Sequence, residues 1–164
     1  MSSSDRRSLL IALAALPLAA CGFTPAYGPG GPAAGIRGHI RPDTPPDRDA
    51  FSLVDELEAR LGRPQDARFT LGYTIRTRET AVAITPLNIT TRYDVAGAVH
   101  YTLRDAASGH TLSQGEVHSF TSYGATGSTV ATLAARADAH QRLMVILADE
   151  IVTRLIATSA QWNK

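Results

Sequence analysis

Residues 93–104 read Tyr-Asp-Val-Ala-Gly-Ala-Val-His-Tyr-Thr-Leu-Arg, and residues 68–76 read Arg-Phe-Thr-Leu-Gly-Tyr-Thr-Ile-Arg. In the second, Phe69, Leu71, Tyr73 and Ile75 alternate with Arg68, Thr70, Thr74 and Arg76. In the first, Tyr93, Val95, Val99, Tyr101 and Leu103 alternate with Arg92, Asp94, His100, Thr102 and Arg104. Period-two alternation puts one set against a core and the other on a polar surface. Two long strands therefore share an apolar inner face and an arginine- and threonine-bearing outer face. Thr85-Pro86-Leu87-Asn88 supplies a turn between them, and Asp105-Ala106-Ala107-Ser108-Gly109 leads into a third strand, Thr111–Tyr123. Three consecutive strands are most simply an antiparallel meander.

Helical periodicity flanks this block. Phe51, Val54, Leu57 and Leu61 recur at helical spacing, with Asp49 or Ser52 as cap and Gly62 and Pro64 as the stop. From Ser128 to about Ile156, Val130, Leu133, Ala137, Met144, Leu147, Ile151 and Leu155 make a second apolar stripe. Asp138–Arg142 and Glu150–Arg154 are its i,i+4 charge pairs. Ile36–Arg41, ended by Pro42, is a short first strand. The order β-α-β-β-β-α is an α+β fold in which two helices cover one face of a four-stranded sheet and leave the other open. The expected single domain is 36–158, followed by a frayed tail at 159–164.

The N-terminus has a different character. Arg6 and Arg7 precede an apolar run, Leu9–Leu16, and then Leu18-Ala19-Ala20-Cys21. This is the pattern of a cleavable export signal, too short to span a bilayer. A cysteine directly after the small residues matches the lipobox of bacterial lipoproteins. Residues 1–20 are thus expected to be removed and Cys21 to carry the lipid. Asp5-Arg6-Arg7-Ser8-Leu9-Leu10 fits either a general or a twin-arginine export signal. The Gly/Pro/Ala-rich stretch 21–35 reads as a flexible tether.

Composition narrows the function. The chain carries a formal charge of +1, and without Asp5, Arg6 and Arg7 it is close to neutral, so the basic excess of a nucleic-acid binder is missing. Cys21 is the single cysteine, which leaves no disulfide and no cysteine nucleophile. No nucleophile elbow, zinc-binding helix or phosphate loop is present. His39, His100, His110, His118 and His140 lack metal-ligand spacing. His100 and His118 could meet on adjacent strands as a surface pair. His140, on the apolar stripe, reads as a satisfied boundary histidine. No cofactor is implied, and a binding or assembly role fits better than catalysis.

Taken together, Ala20-Cys21-Gly22-Phe23 with Pro25, the β-α-β-β-β order and the long last helix resemble the LptE family of lipopolysaccharide-assembly lipoproteins. Ser122-Tyr123, Ala134-Ala135-Arg136-Ala137-Asp138-Ala139, Arg142-Leu143, Leu147-Ala148-Asp149-Glu150-Ile151 and Arg154-Leu155 resemble its alphaproteobacterial members. The resemblance implies two helices on a mixed four-stranded sheet. It also implies an outer-membrane location on the periplasmic side, a place as plug in the LptD β-barrel, and binding of lipopolysaccharide. The family's basic contact residues do not map onto this chain, whose one lysine is Lys164. Arg76, Arg78 and Arg92 are the expected ligand contacts instead. Two other readings are an auxiliary lipoprotein of a phospholipid-transport system and a lipoprotein enzyme with a pocket of convergent titratable groups.

Cys21 is tested directly by intact-mass measurement. The wild-type protein from a bacterial envelope is expected to start at Cys21 and to carry acyl mass, which Cys21→Ser abolishes. Acyl chains on the serine variant would overturn the assignment.

Overall fold

The computed structural model describes residues 28, 31, 33–125 and 127–163. Cys21 and most of the expected tether lie outside them. The elements are β1 (Ile40–Pro42), α1 (Arg48–Leu61), β2 (Phe69–Ile84), β3 (Thr90–Asp105), β4 (Thr111–Gly124) and α2 (Thr129–Trp162). They form the α+β fold read from the sequence. The sheet order is β1-β2-β3-β4. β1 runs parallel to β2, with Ile40 opposite Phe69, because α1 carries the chain back across the sheet between them. β2–β3 and β3–β4 are antiparallel, so the sheet is mixed.

The strand registers follow the alternation. Val95, Val99, Tyr101 and Leu103 of β3 are buried, as are Phe69 and Leu71 of β2 and Val117 of β4. Leu143, Met144, Leu147, Ala148, Ile151 and Leu155 of α2 pack onto them, with Leu53, Leu57 and Leu61 of α1 beside. Gly97 marks where α2 crosses β3. A Cβ there would lie 2.8 Å from Leu143 Cδ2 and 3.1 Å from Leu147 Cδ1. The bare backbone at this position is what lets the helix sit close.

α1 differs from the expected helix in phase. Its cap is Asp47, whose Oδ1 accepts from the Ala50 amide at 2.8 Å, not Asp49 or Ser52. The buried stripe is Ala50, Leu53, Leu57 and Leu61, and Phe51 is exposed. The sequence holds two overlapping helical sets that share Leu57 and Leu61. Small Ala50 permits the close approach that bulky Phe51 would block. At the other end Gly62 takes φ 81°, a left-handed conformation glycine adopts freely, and the Gly38 amide donates to the Leu61 carbonyl at 2.8 Å.

α2 also differs at both ends. Val130 and Leu133 are exposed, so its buried stripe begins at Ala139. Its far end does not fray at Ile156 but continues to Trp162, about 50 Å in all. Trp162 meets Phe69 edge-on with centroids 5.2 Å apart, and Ser159 is buried. The Asn163 side-chain amide donates to the Ala34 carbonyl at 2.8 Å. Ala33 and Ile36 are buried as well, so core packing already begins inside the stretch read as tether. Asn163 gives that segment a partner that local composition does not reveal.

Leu147 lies at the crossing and is fully buried, so Leu147→Ala is expected to cost about 2–5 kcal/mol. That is a large part of a stability of roughly 5–15 kcal/mol. Val130→Ala, on the exposed first turn, should change the chemical-denaturation midpoint little. Equal effects of the two would contradict the packing described.

Candidate functional site

The face of the sheet away from the helices is open. Registers fix its rows: Arg76, Ala98 and His118 lie side by side, as do Arg78, Ala96 and Phe120. Ala96 and Ala98 leave a low floor between the long side chains. Arg76 and Arg78 are exposed and form no ion pair among the described residues. Arg92 is placed on the same face but is engaged. It donates through Nη2 to Ser122 Oγ at 2.9 Å and lies 3.7 Å from Asp94. Asp94 Oδ1 is buried without a hydrogen bond, so the Arg92 charge is what compensates it.

Arg104 and His100 occupy the same face lower down, around a shallow 320 Å³ hollow with Asp43, Gly72 and Thr74. Arg68 falls just before β2 and stacks its guanidinium 5.1 Å from the Phe69 ring. His100 and His118 are offset rather than opposed. His100 pairs with Glu116 and Ala98 with His118, and His118 Nε2 lies 3.6 Å from Glu116.

On the helix side, a charge cluster joins β2, β4, α1 and α2. Glu79 Oε1 accepts from Arg136 Nε at 2.7 Å and lies 3.0 Å from His140 Nε2. Tyr123 donates its hydroxyl to Glu79 Oε2 at 2.9 Å, and Tyr123 stacks on Tyr93. His140 Nδ1 lies 2.9 Å from Asp49 Oδ2. Burial raises the Glu79 pKa, but hydrogen bonds from Arg136, His140 and Tyr123 outweigh it and hold it at about 2. Burial lowers the His140 pKa, yet the Glu79 and Asp49 hydrogen bonds raise it overall. Burial and the Glu79 carboxylate push Tyr123 up to about 12. The cluster thus sets the His140 ring between two carboxylates, an arrangement that favours its protonated form. It was legible in part. Glu79 falls on the inward phase of β2, where a carboxylate needs cations, and Arg136 and His140 are spaced i,i+4 on the facing helix.

A cleft of about 630 Å³ opens beside it, lined by Asp49, Phe51, Ser52, Leu133, Arg136 and His140 among others. Ser52, His140 and Asp49 together invite a nucleophilic reading, which the contacts oppose. Both His140 nitrogens face carboxylates, leaving none to take a serine proton, and Ser52 Oγ donates to the Arg48 carbonyl at 3.1 Å. Among the described residues no His/Cys/Asp/Glu group has metal-site geometry, and no helix is long and apolar enough to cross a membrane.

The described residues thus form a one-sided α+β sheet whose open face carries Arg76, Arg78, Arg92 and Arg104. Residues 39–155 match the LptE lipopolysaccharide-assembly family, and the chain belongs to it. No curated protein sequence matches significantly. Among solved structures, a candidate lipoprotein from Caulobacter crescentus CB15 is similar, with 22% identity and a TM-score of 0.62, covering 72% of this chain and 88% of that one. Rare lipoprotein B from Shewanella oneidensis shares the fold at 12% identity and TM-score 0.58, covering 77% and 98%. A minor lipoprotein from Acinetobacter baumannii does so at 14% identity and TM-score 0.54, covering 75% and 92%.

The cluster has a pH signature. The His140 contribution is fully present below its ordinary pKa near 6.5 and is lost as pH rises through the higher folded value. The Glu79 contribution is present above its ordinary 4.5 and is lost as pH falls towards 2. Glu79→Gln should cost about 1 kcal/mol or somewhat more, since Arg136 is half-exposed and its pairing is screened. It should also flatten the loss of melting temperature between pH 4.5 and 2. An unchanged acid limb would show that the cluster is not what titrates.

Proposed function

We propose that this chain is a lipoprotein anchored through Cys21 on the periplasmic side of the outer membrane. There it plugs and assists assembly of the LptD barrel and holds lipopolysaccharide on its open sheet face. Membership of the lipopolysaccharide-assembly family supports the setting. The observation that carries the ligand site is the pair of exposed arginines, Arg76 and Arg78, on that face without acidic partners among the described residues. Guanidinium forks bind phosphate through two charge-assisted hydrogen bonds. Arg92 contributes less free charge because Asp94 and Ser122 already hold it. The role needs no catalytic group. It requires a rigid domain with one face packed by helices and the other available to ligand or barrel wall. A phospholipid-transport role lacks comparable support, since the family match is to lipopolysaccharide assembly.

The test uses the full chain with Cys21→Ser, which removes the acyl anchor as a competing ligand. Arg76→Gln, Arg78→Gln and Arg92→Gln together are expected to weaken lipopolysaccharide binding by about 1.5–3 kcal/mol per real contact. The loss should be largest at low salt. Arg76→Gln with Arg78→Gln should account for most of it. Unchanged low-salt affinity in a folded triple variant would exclude this face as the ligand site, and co-purification with the barrel tests the plug role separately.

A further inference from the structure

The outer side of α1 repeats the spacing of its inner side with different chemistry. Ala50, Leu53, Leu57 and Leu61 are buried, and two residues before each stand Arg48, Phe51, Asp55 and Ala59, all exposed. Phe51 is 63% exposed, although its ring is the largest apolar group of the helix. Leu133 of α2 is 58% exposed, and both line the 630 Å³ cleft between the helices. Val130, one turn earlier on α2, is exposed too. Arg48 and Asp55 form no ion pair among the described residues, whereas Asp49, Glu56 and Arg136 beside them are each paired. An exposed aromatic ring between two unmatched opposite charges marks a surface that something covers.

The order of these groups restricts the occupant. Arg48 and Asp55 are seven residues apart, about 10 Å along the helix, with Phe51 between them on the same face. A purely apolar partner leaves both charges unmatched, and a surface of one sign repels one of them. Turned end for end, however, the stripe reads acid, apolar, base, which is its own complement. A second copy placed across a two-fold axis, α1 antiparallel to α1, sets Arg48 against the partner subunit's Asp55. The same operation sets Asp55 against the partner subunit's Arg48. Phe51 falls level with the partner subunit's Ser52, a small residue that lets the helices close to about 8–10 Å. The two Phe51 rings then meet beside the axis, at a separation suited to offset or edge-on contact.

We propose that the domain pairs with a second copy of itself through the outer face of α1, with Phe51 at the two-fold axis and an Arg48–Asp55 pair on either side. The aromatic contact supplies the affinity. The exposed ion pairs contribute little strength and fix direction and register. The pairing uses the helix layer and leaves the open sheet face free, so it does not depend on the ligand reading given above.

The test uses the full Cys21→Ser chain, which carries no acyl anchor and no thiol for a disulfide-linked dimer. Sedimentation velocity from micromolar to near-millimolar protein should show a monomer–dimer equilibrium. Arg48→Asp and Asp55→Arg should each weaken dimerisation roughly tenfold at low salt, because each sets like charges against each other. An equimolar mixture of these two variants should recover association, since it restores two opposite-charge pairs across the interface. Phe51→Ser should remove the dimer and leave the melting temperature unchanged, as Phe51 is outside the core. Arg76→Gln with Arg78→Gln should leave association as it was. A chain that stays monomeric at every concentration overturns the proposal, whatever other helix the cleft receives. So does a dimer that survives Phe51→Ser or is lost with the sheet-face arginines. Loss in both charge variants without recovery in their mixture overturns the two-fold register, and a folding defect would appear separately as a lowered melting temperature.

Discussion

The close approach of α2 to β3 at Gly97 is the constraint on which the other arrangements depend. With no disulfide available, the fold is held by one apolar layer, and its densest part is Leu143 and Leu147 resting where Gly97 has no side chain. Any Cβ at that point would push the helix outward or force the leucines off their rotamers. Because α2 lies across the sheet, its helix-facing side is used up by packing. The opposite side is open and mostly polar or small, with arginine, threonine, serine, histidine and alanine, and it leaves Phe120 exposed beside Arg78. A one-sided sheet of this kind buries apolar surface and presents polar surface with the same strands, so the core and the open face share a backbone.

The Glu79 cluster extends this hold where the apolar layer ends. α2 starts with exposed Val130 and Leu133, and its buried stripe begins only at Ala139. Arg136 and His140 occupy the intervening turns and reach Glu79 on β2 and Asp49 on α1. The carboxylates are partly buried, and each has a directed partner; at Glu79 the hydrogen bonds together outweigh the effect of burial. The consequence for the site is geometric. Glu79 points inward and its neighbour Arg78 outward on one strand. Fixing Glu79 through three donors therefore steadies the backbone that carries Arg78 on the other face.

How much of this was legible in the sequence depended on which force decided each feature. The inward positions of β2 and β3, and hence the outward placement of Arg76, Arg78, Arg92, Arg104 and His100, followed from period two, because a one-residue slip would bury an arginine row. Helix phase in α1 was not legible. Two stripes shared the leucines Leu57 and Leu61, and the choice between Ala50 and Phe51 rests on how near the sheet and α2 come. The end of α2 was misjudged for a related reason. Thr158, Ser159 and Gln161 look polar in isolation, but Trp162 on Phe69 and Asn163 on the Ala34 carbonyl are long-range contacts. The partial neutralisation of Arg92 could have been read, since Asp94 stands two residues along the same strand and thus on the same face.

That neutralisation changes the character of the candidate site. Three arginines in a row would form a uniform positive strip whose attraction for anions fades with salt at every position. Instead, Arg92 is held by Asp94 and Ser122 in a fixed orientation, while Arg76 and Arg78 keep their freedom. Charge rises down the strand from the hairpin tip, from the uncharged run at 80–91, through a compensated pair, to two free guanidinium groups. The β2–β3 hairpin therefore changes lengthwise, uncharged at its tip and cationic further down, where exposed Phe120 stands in the Arg78 row. An anion approaching this face would meet its freest positive charge at Arg76 and Arg78 rather than at Arg92, whose guanidinium is already shared with Asp94 and Ser122.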